Sequence, residues 1–464
     1  MKKLNRTCGW ILATALMVHC VAHAQSTSDR EQQLLDRIHS LEDRLAALEA
    51  KVNSGAPPPA AAATAPAPAN AVATPAPSEQ KSATGDSLSL PGFASGTTFS
   101  FLLDGYYEYN FNHPLGRVNL LRPYDPTSNN FTVNQGVMVV ERLPEPAEGR
   151  RYGVRLDLMF GQATESLAGN PANEPRTAPY RNIYQAYGTY VFPAGKDLTV
   201  DFGRFSSPLG FEGTFDKDQI DYTRSFLFTA LPFYHLGFRA SYPISGSTTL
   251  TGMVVNGLNQ SEDFNGFKSA GIGITHTFSK TVSWTGTYYT GQENRDLNAA
   301  ALSNVPPVLP TQPGLSTTPV GPTPDGRAHI IDTYLNWNAT SKLTFVAEGD
   351  YILNRLYSNS YPAHVVGGAG YLKYQIAAPF YIAGRWEYVS DRGGYLSGTT
   401  QALKEGTLTA VWQPVDGFQT RWEFRHDYSN QPFFLSDVSG VLKRDQTTAL
   451  MGLLWWFGGK QGSW

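Results

Sequence analysis

Apolar and polar residues alternate along most of the chain. In residues 98–111, for example, Phe99 and Phe101 lie on one face of an extended chain, and Asp104 and Glu108 lie on the other. A period of two residues is typical of β-strands whose two faces meet different environments. The pattern therefore predicts an all-β protein over this part of the sequence.

Sixteen such segments follow one another, and most of them are 9–15 residues long. These lengths suit strands that cross a lipid bilayer at a tilt. The predicted strands lie near residues 97–111, 131–141, 150–161, 182–192, 197–205, 234–243, 247–256, 268–278, 281–291, 328–338, 341–352, 364–376, 379–390, 401–413, 417–428 and 445–457.

The connections between these segments alternate between short turns and long loops. Seven are short, such as residues 193–196 and 279–280, and eight are long, such as 206–233 and 292–327. An antiparallel barrel with an even strand number and both chain ends in the periplasm requires this arrangement. A soluble sandwich has no reason to sort its loops in this way. We therefore predict a transmembrane antiparallel β-barrel of about 16 strands, formed by residues 97–464.

Aromatic residues near the ends of the apolar strand faces resemble the two aromatic girdles of membrane barrels. They are Tyr107, Trp284, Tyr288, Trp337, Trp386, Tyr388, Trp412, Trp422 and Trp455. The last predicted strand is apolar, and either Phe457 or Trp464 could be the terminal aromatic that the barrel assembly machinery recognises. Outer-membrane lipid and that machinery are therefore expected partners.

Residues 1–24 have the features of an export signal. They contain a basic start, a short apolar stretch at residues 10–18 and a small-residue cleavage motif that ends at Ala24. The two cysteines, Cys8 and Cys20, both lie inside this segment, so the mature chain has no disulfide framework. Lipid attachment at Cys20 is the alternative, although the residues before it fit that signal poorly.

Residues 25–53 predict a short coiled-coil helix in the periplasm. Its apolar seam repeats every seven residues, which is the pattern of a left-handed coiled coil. The seam residues are Leu34, Ile38, Leu41, Leu45, Leu48 and Val52. Ile or Val at one seam position favours dimers, but residues 37–42 and 44–49 both match the trimerisation pattern R-h-x-x-h-E. A homotrimer is expected, with a lone helix packed on the next domain as the alternative.

Residues 54–96 form a linker that is rich in alanine and proline. Such a composition cannot bury a core and stays disordered or extended. The linker would hold the helix away from the barrel, where peptidoglycan is a further candidate partner.

Composition narrows the functional classes. Only 16% of the residues are charged, and the aromatics include 24 Tyr, 25 Phe and 9 Trp. The mean hydropathy is −0.28, and beyond the signal no run approaches 18 apolar residues, which excludes a helical membrane protein. The net charge of −3 does not provide the excess of positive charge that is typical of nucleic-acid-binding proteins.

Four stretches of the sequence are similar to the OmpL-like family of outer-membrane β-barrel porins. They are residues 203–211, 222–225, 232–239 and 254–257. The general layout resembles that family from about residue 97 to residue 464. This resemblance implies a barrel in the outer membrane of a Gram-negative bacterium and passive passage of solutes, with no catalytic residues.

Motifs for catalysis or cofactor binding are not found in the sequence. The nine histidines are not spaced like metal ligands, and His235 is expected to be an ordinary strand-end or loop residue. Glu348 and Asp350 share one strand face and are expected to line a wet lumen rather than to act as acid and base. We therefore expect no enzyme, no cofactor and no metal.

The predicted function is a porin, that is, a passive diffusion channel for small hydrophilic solutes or ions. The polar strand faces supply the expected pore-lining residues, and acidic residues outnumber basic ones among the charged residues of those faces. They are Asp104, Glu108, Arg155, Asp157, Arg239, Glu348, Asp350, Arg385, Glu387, Arg421, Glu423, Arg425 and Asp427, together with Asp332 and Lys373. The alternative is a non-conducting barrel that acts as an adhesin or assembly factor through its long loops.

A loop must narrow the lumen of a barrel of this size unless a plug fills it. We expect residues 206–233 to do so, with residues 292–327 as the second candidate. The charged residues expected at this constriction are Glu212, Asp216, Asp218, Asp221 and Arg224. Since acidic residues prevail, a weak preference for cations is expected.

The coiled-coil seam generates a prediction for the oligomer. Changing Ile38, Leu41 and Leu45 together to Ser should loosen the trimer, because each change removes a seam contact. The mass of the purified protein in detergent measures this. An unchanged oligomer would mean that the barrel walls, and not the helix, carry association.

Overall fold

The structure is a computed structural model that describes residues 96–168, 174, 177–297, 319–459 and 463–464. No helix in these ranges is both long and apolar enough to span a membrane.

Several predicted features lie outside the described residues. They are the signal sequence at residues 1–24, the coiled-coil helix at residues 25–53 and nearly all of the linker at residues 54–96. These three assignments stay predictions.

Sixteen antiparallel strands form one closed barrel, which confirms the predicted fold. Each strand pairs with its neighbours in the sequence, and the first and last strands pair with each other, so that the barrel has no free edge. The strands are β1 Thr98–Asn110, β2 Asn130–Arg142, β3 Tyr152–Phe160, β4 Ile183–Phe192, β5 Leu198–Ser206, β6 Tyr234–Pro243, β7 Thr248–Val255, β8 Ser269–Ser279, β9 Val282–Gly291, β10 Ala328–Asn338, β11 Leu343–Asn354, β12 Ala363–Ala377, β13 Phe380–Arg392, β14 Gln401–Val415, β15 Phe418–Ser429 and β18 Asp445–Gly458.

The loops carry a few short elements that the alternating pattern does not predict. Short helices span Ala163–Ala168, Thr177–Tyr180 and Phe226–Ala230, and a small hairpin joins β16 (Phe434–Leu435) to β17 (Leu442–Lys443). These elements are too short to show a periodic pattern in the sequence. They lie in the long connections; at the other end of the barrel most turns are tight, and the one between β2 and β3 contains the one-turn helix Pro146–Glu148.

The two faces of each strand differ in exposure, as the sequence pattern predicts. In β15, Trp422 and Phe424 are 43% and 50% exposed, whereas Glu423 and Arg425 are 4% and 1% exposed. Leu408, near the middle of β14, is 62% exposed. Apolar side chains exposed in this way on many strands would be unfavourable if the outer face were in contact with water. The outer face is therefore the lipid-facing surface, and the charged residues point inward.

Aromatic side chains are exposed at both ends of the outer face. Near the tight turns they include Tyr152, Phe192, Phe278, Trp337, Phe380 and Trp455, and near the long loops they include Phe131, Phe160, Tyr288, Tyr388 and Tyr428. Amphipathic rings at the two levels of the lipid headgroups are typical of membrane barrels.

Candidate functional site

The connection between β5 and β6, residues 207–233, lies against the inner wall of the barrel, and we call it the inner loop. Its residues hydrogen-bond to inward-facing side chains on β1, β2, β11, β13, β14 and β15. It contains the helix Phe226–Ala230, in which Ser225 caps the first turn by accepting a hydrogen bond from Phe228 N. This is the loop that we predicted from the sequence to narrow the lumen.

Three inward-facing arginines donate hydrogen bonds to carbonyl oxygens of the inner loop. Arg385 donates to Thr223 O at 2.6 Å, and Arg425 donates to Arg224 O at 2.5 Å. Arg421 donates to two loop carbonyls, those of Asp221 and Gln219, each at 2.9 Å. A backbone carbonyl buried without a partner costs free energy, so these contacts stabilise an irregular loop away from water.

Glutamates on the same wall accept hydrogen bonds from N–H groups of the loop. Glu423 accepts from Tyr222 N at 2.7 Å and from Thr223 N at 3.2 Å. Glu387 accepts from the first two N–H groups of the loop helix, Phe226 N and Leu227 N, each at 2.7 Å. A carboxylate at this position also complements the positive end of the helix.

Together, these residues form a surface that we call the charged wall, the inner faces of β13, β14 and β15. Its members are Arg385, Glu387, Glu405, Arg421, Glu423 and Arg425, and each is at most 6% exposed. All of them except Glu405 were predicted to line the pore; the structure places them on the inner face but beneath the inner loop. Contact between these side chains and a passing solute stays a prediction, and their burial argues against it.

Ion pairs within and beneath the inner loop hold its charged residues. Glu212 pairs with Arg385 at 2.8 Å and also accepts from Ser225. Arg224 pairs with Asp216 at 2.6 Å, and its guanidinium lies over the ring of Tyr124 at 4.7 Å. The loop residues predicted at the constriction therefore have partners.

Asp221 is held differently from the other loop carboxylates. Its Oδ1 accepts a hydrogen bond from Thr409 at 2.6 Å, and the same hydroxyl contacts Glu423. Burial raises the pKa of the Asp221 carboxyl to about 7; Glu423 acts in the same direction, while Arg385 opposes it. The negative charge of this loop therefore depends on pH near neutrality.

Asp218 contacts the end of the described chain. Its carboxylate pairs with Lys217 at 2.7 Å and accepts from Trp464 N at 3.0 Å. The Trp464 ring packs against Phe215 at 6.1 Å, whereas Phe457 is 68% exposed on the outer face of β18. Of the two candidate terminal aromatics, only Phe457 lies on the last strand. Its recognition by the assembly machinery stays a prediction.

Two predicted pore-lining carboxylates contact the first long loop instead of the inner loop. Arg122, between β1 and β2, pairs with Glu108 at 3.1 Å and with Asp427 at 2.9 Å. Arg122 also pairs with Asp125 at 2.6 Å and is itself only 3% exposed. The first loop therefore also folds onto the inner wall.

The remaining predicted pore-lining residues have different surroundings, and Lys373 lies over the ring of Tyr381 at 4.2 Å. Arg155 pairs with Asp157 at 2.8 Å, and Arg239 pairs with Asp201 at 2.7 Å. Asp104 accepts a hydrogen bond at 2.9 Å from Tyr222 of the inner loop. Glu348 and Asp350 lie together with Asp332 on the inner faces of β10 and β11.

One part of the inner surface carries little charge and is only partly covered by the inner loop. On the inner faces of β7, β8 and β9, a set of small, uncharged residues, which we call the threonine wall, lies beside the larger side chain of Met253. Its members are Thr251, Gly271, Gly273, Thr275, Thr285 and Thr287; the first four of them are partly exposed. A cavity of about 20 Å³, room for about one water molecule, lies between this wall and Pro208.

A larger cavity of about 540 Å³ lies among the long loops. It is lined by parts of the first loop, the inner loop and three other long connections, including Arg122, Thr229, Phe233, Asn259 and Tyr395. The lining mixes polar and apolar groups and includes no set of side chains arranged for catalysis.

His235 was considered as a catalytic candidate and set aside, and its surroundings agree with that choice. It is fully buried, its Nδ1 contacts Gly257 O at 3.0 Å and its Nε2 contacts Ser207 Oγ at 3.2 Å. Within the described residues no carboxylate contacts the ring, as a catalytic triad would require, and Ser207 is half-buried. Ser225 and Asp221, the other polar residues of this segment, bond elsewhere.

Sequence comparison decides the family. A family model described as "Putative beta-barrel porin-2, OmpL-like" matches residues 96–457. The chain belongs to this family. As an OmpL-like porin with a closed barrel and a lipid-facing outer surface, it is an outer-membrane protein. A comparison with curated protein sequences gave no match.

Several solved structures have similar folds. The anion-selective porin from Comamonas acidovorans has a TM-score of 0.50 at 9% identity and covers 78% of this chain and 99% of its own. The outer membrane channel DcaP of Acinetobacter baumannii has a TM-score of 0.49 at 11% identity, covering 79% and 100%. OmpT of Vibrio cholerae has a TM-score of 0.49 at 9% identity, covering 78% and 98%. At such identities the likeness concerns the fold alone.

The charged wall generates a prediction for stability. Replacing Arg385 by Gln should destabilise the barrel by about 3–5 kcal/mol, because it leaves the buried carboxylate of Glu212 without an ion pair and that of Glu405 with only the longer contact to Arg425 at 3.5 Å. Equilibrium unfolding in urea measures the difference. The control is Arg151→Gln, which removes an exposed ion pair with Asp197 and should cost about 1 kcal/mol or less. Equal effects of the two changes would contradict a structural role for the charged wall.

Proposed function

We propose that this porin is a passive diffusion channel for small hydrophilic solutes or ions and not an enzyme. The observation that carries the proposal is the unequal covering of its inner surface. The inner loop covers the charged wall, whereas Thr251, Gly271, Gly273 and Thr275 on the threonine wall keep part of their surface exposed. We infer that solute passes between the inner loop and the threonine wall.

The chemistry of this route favours polar solutes. Threonine hydroxyls can both donate and accept hydrogen bonds, so they can replace some of the water around a sugar, an alcohol or a hydrated ion. Gly271 and Gly273 make room for the neighbouring side chains of Met253 and Thr287, which occupy the space beside them. A route lined by hydroxyls holds no solute tightly, and weak binding allows rapid exit.

The oligomeric state belongs to the same proposal. The heptads at residues 34–52 support a homotrimer with its coiled coil in the periplasm. The barrel supplies a lipid-facing surface around each proposed channel. The linker at residues 54–96 would allow the helix to reach peptidoglycan.

A bulky side chain on the threonine wall tests the proposed route. In planar-bilayer recordings the wild-type protein should form open channels, and Thr275→Trp should lower the single-channel conductance several-fold. The control is Ile272→Trp on the same strand, because Ile272 is 53% exposed on the lipid-facing side. That change should leave the conductance unaltered.

Two results would count against this proposal. No conductance from folded wild-type protein would favour the alternative of a non-conducting barrel. Conductance that is insensitive to Thr275→Trp would move the route away from the threonine wall.

Ion preference gives an independent prediction. The inner loop carries more acidic than basic residues, so reversal potentials in a KCl gradient should show a weak preference for cations. The preference should fade at high salt, because the Debye length falls from about 10 Å at 0.1 M to about 3 Å at 1 M. It should also decline as pH falls below about 7, because the Asp221 carboxyl then takes up a proton.

The matched variant is Asp221→Asn, which should lower the preference at pH 8 and remove part of its pH dependence. A clear preference for anions in the wild-type protein would contradict the assignment.

A further inference from the structure

Three acidic side chains meet on the inner faces of β10 and β11. Asp332 lies directly opposite Asp350 in the strand register, and Glu348 precedes Asp350 by two residues on the same face. One carboxylate oxygen from each residue lies within 4.8 Å of the others. The three residues are buried, with exposures of 0% for Asp332, 4% for Asp350 and 7% for Glu348.

The hydrogen bonds around this cluster are incomplete. Both carboxylate oxygens of Asp332 and both of Asp350 are buried, and none accepts a hydrogen bond of ordinary geometry; Gly210 N lies near Asp332, and the two carboxylates lie near each other. Within the described part of the chain, no lysine or arginine forms an ion pair with the three carboxylates; Arg385 pairs with Glu212 and Glu405 instead. Buried carboxylates without hydrogen bonds or a countercharge are costly, so this arrangement calls for a positive charge or a shared proton.

Two hydrogen bonds fix the carboxylate of Glu348, and both come from groups outside the cluster. Its Oε1 accepts from Phe211 N of the inner loop at 2.8 Å, and its Oε2 accepts from Tyr371 Oη at 2.9 Å. The loop approaches closely at Gly210, which has a φ of +89°, a conformation that favours glycine. The cluster therefore lies where the inner loop meets β11.

We propose that Asp332, Glu348 and Asp350 bind one divalent cation, with Ca²⁺ as the preferred ion. Oxygens bound to a single Ca²⁺ at about 2.4 Å can be at most about 4.8 Å apart, and the three carboxylates meet this limit. Carboxylate oxygens are the ligands that hard cations take. Mg²⁺ demands near-ideal octahedral geometry, whereas Ca²⁺ accepts flexible coordination by mono- and bidentate carboxylates.

The proposed ion would tie together β10, β11 and the start of the inner loop through Glu348. It would neutralise two of the three negative charges of the cluster. The site goes beyond the proposed channel and does not rest on it, because an ion can bind here whether or not the barrel conducts.

Binding of Ca²⁺ and Tb³⁺ to the full-length folded protein in detergent, after treatment with a chelator, tests the site. We expect one ion per chain, and Ca²⁺ should raise the temperature of thermal unfolding because it binds only the folded state. Tb³⁺ luminescence should be sensitised through Tyr371, whose hydroxyl contacts Glu348. Excess Ca²⁺ should quench that signal by displacement.

Variants assign the binding to these residues. Asp332→Asn and Asp350→Asn should each weaken binding by more than about ten-fold, since each removes a charged ligand. The matched control is Asp391→Asn, because Asp391 is a fully buried inward aspartate on β13 with one oxygen that lacks a partner. It should leave binding unchanged. Glu348→Gln is the third ligand variant, and a heat-dependent shift on a gel checks that each barrel has folded.

The wild-type measurement alone can overturn the proposal. If the chelator-treated protein takes up no Ca²⁺, Mg²⁺ or Tb³⁺ at millimolar concentration, the aspartates share a proton instead and no cation site exists. Binding that survives Asp332→Asn, Asp350→Asn and Glu348→Gln would place the ion elsewhere and would also refute the assignment.

Discussion

The structure depends on one constraint: an irregular loop that lies inside a barrel must have its backbone hydrogen bonds completed by the wall. Neighbouring strands satisfy each other's backbone N–H and C=O groups. The inner loop at residues 207–233 has no such pairing, and little of it reaches water. The charged wall solves this problem with opposite chemistries. Arginines donate to loop carbonyls, glutamates accept from loop N–H groups, and the two kinds of residue neutralise each other, as in the pair of Arg385 and Glu405.

This arrangement changes what the inward charges mean for function. Charged residues on the polar face of a barrel strand are natural candidates for contact with solute, and they alternate with lipid-facing residues as expected. In this molecule most of them are used to hold loops, including Glu108 and Asp427, which bind Arg122 of the first loop. The uncharged residues on β7, β8 and β9 include several that are partly exposed, so on this side the proposed channel is lined by hydroxyls, while the inner loop supplies charge on the other side.

The strands and their faces could be predicted because alternation has a period of exactly two residues and each strand meets lipid on one side. That pattern says which face Arg425 occupies, but not that its partner is a carbonyl of the inner loop, because contacts between distant segments leave no local trace. The same limit applies to Asp332 and Asp350, which only the register of β10 against β11 brings together. The spacing of Glu348 and Asp350 by two residues was visible, but it signals only a shared face. The helix Phe226–Ala230 is too short for a helical period to be detected.

Labelling of single cysteines with a small water-soluble thiol reagent tests the central claim most directly. Both native cysteines lie in residues 1–24, the predicted signal sequence, so introduced thiols can be followed alone in the processed barrel. Thr275→Cys on the threonine wall should react rapidly in the membrane-inserted protein. Thr409→Cys, fully buried beneath the inner loop, should react slowly unless the loop is released. Equal and rapid reaction at both positions would show that the loop does not cover the charged wall and would contradict the account.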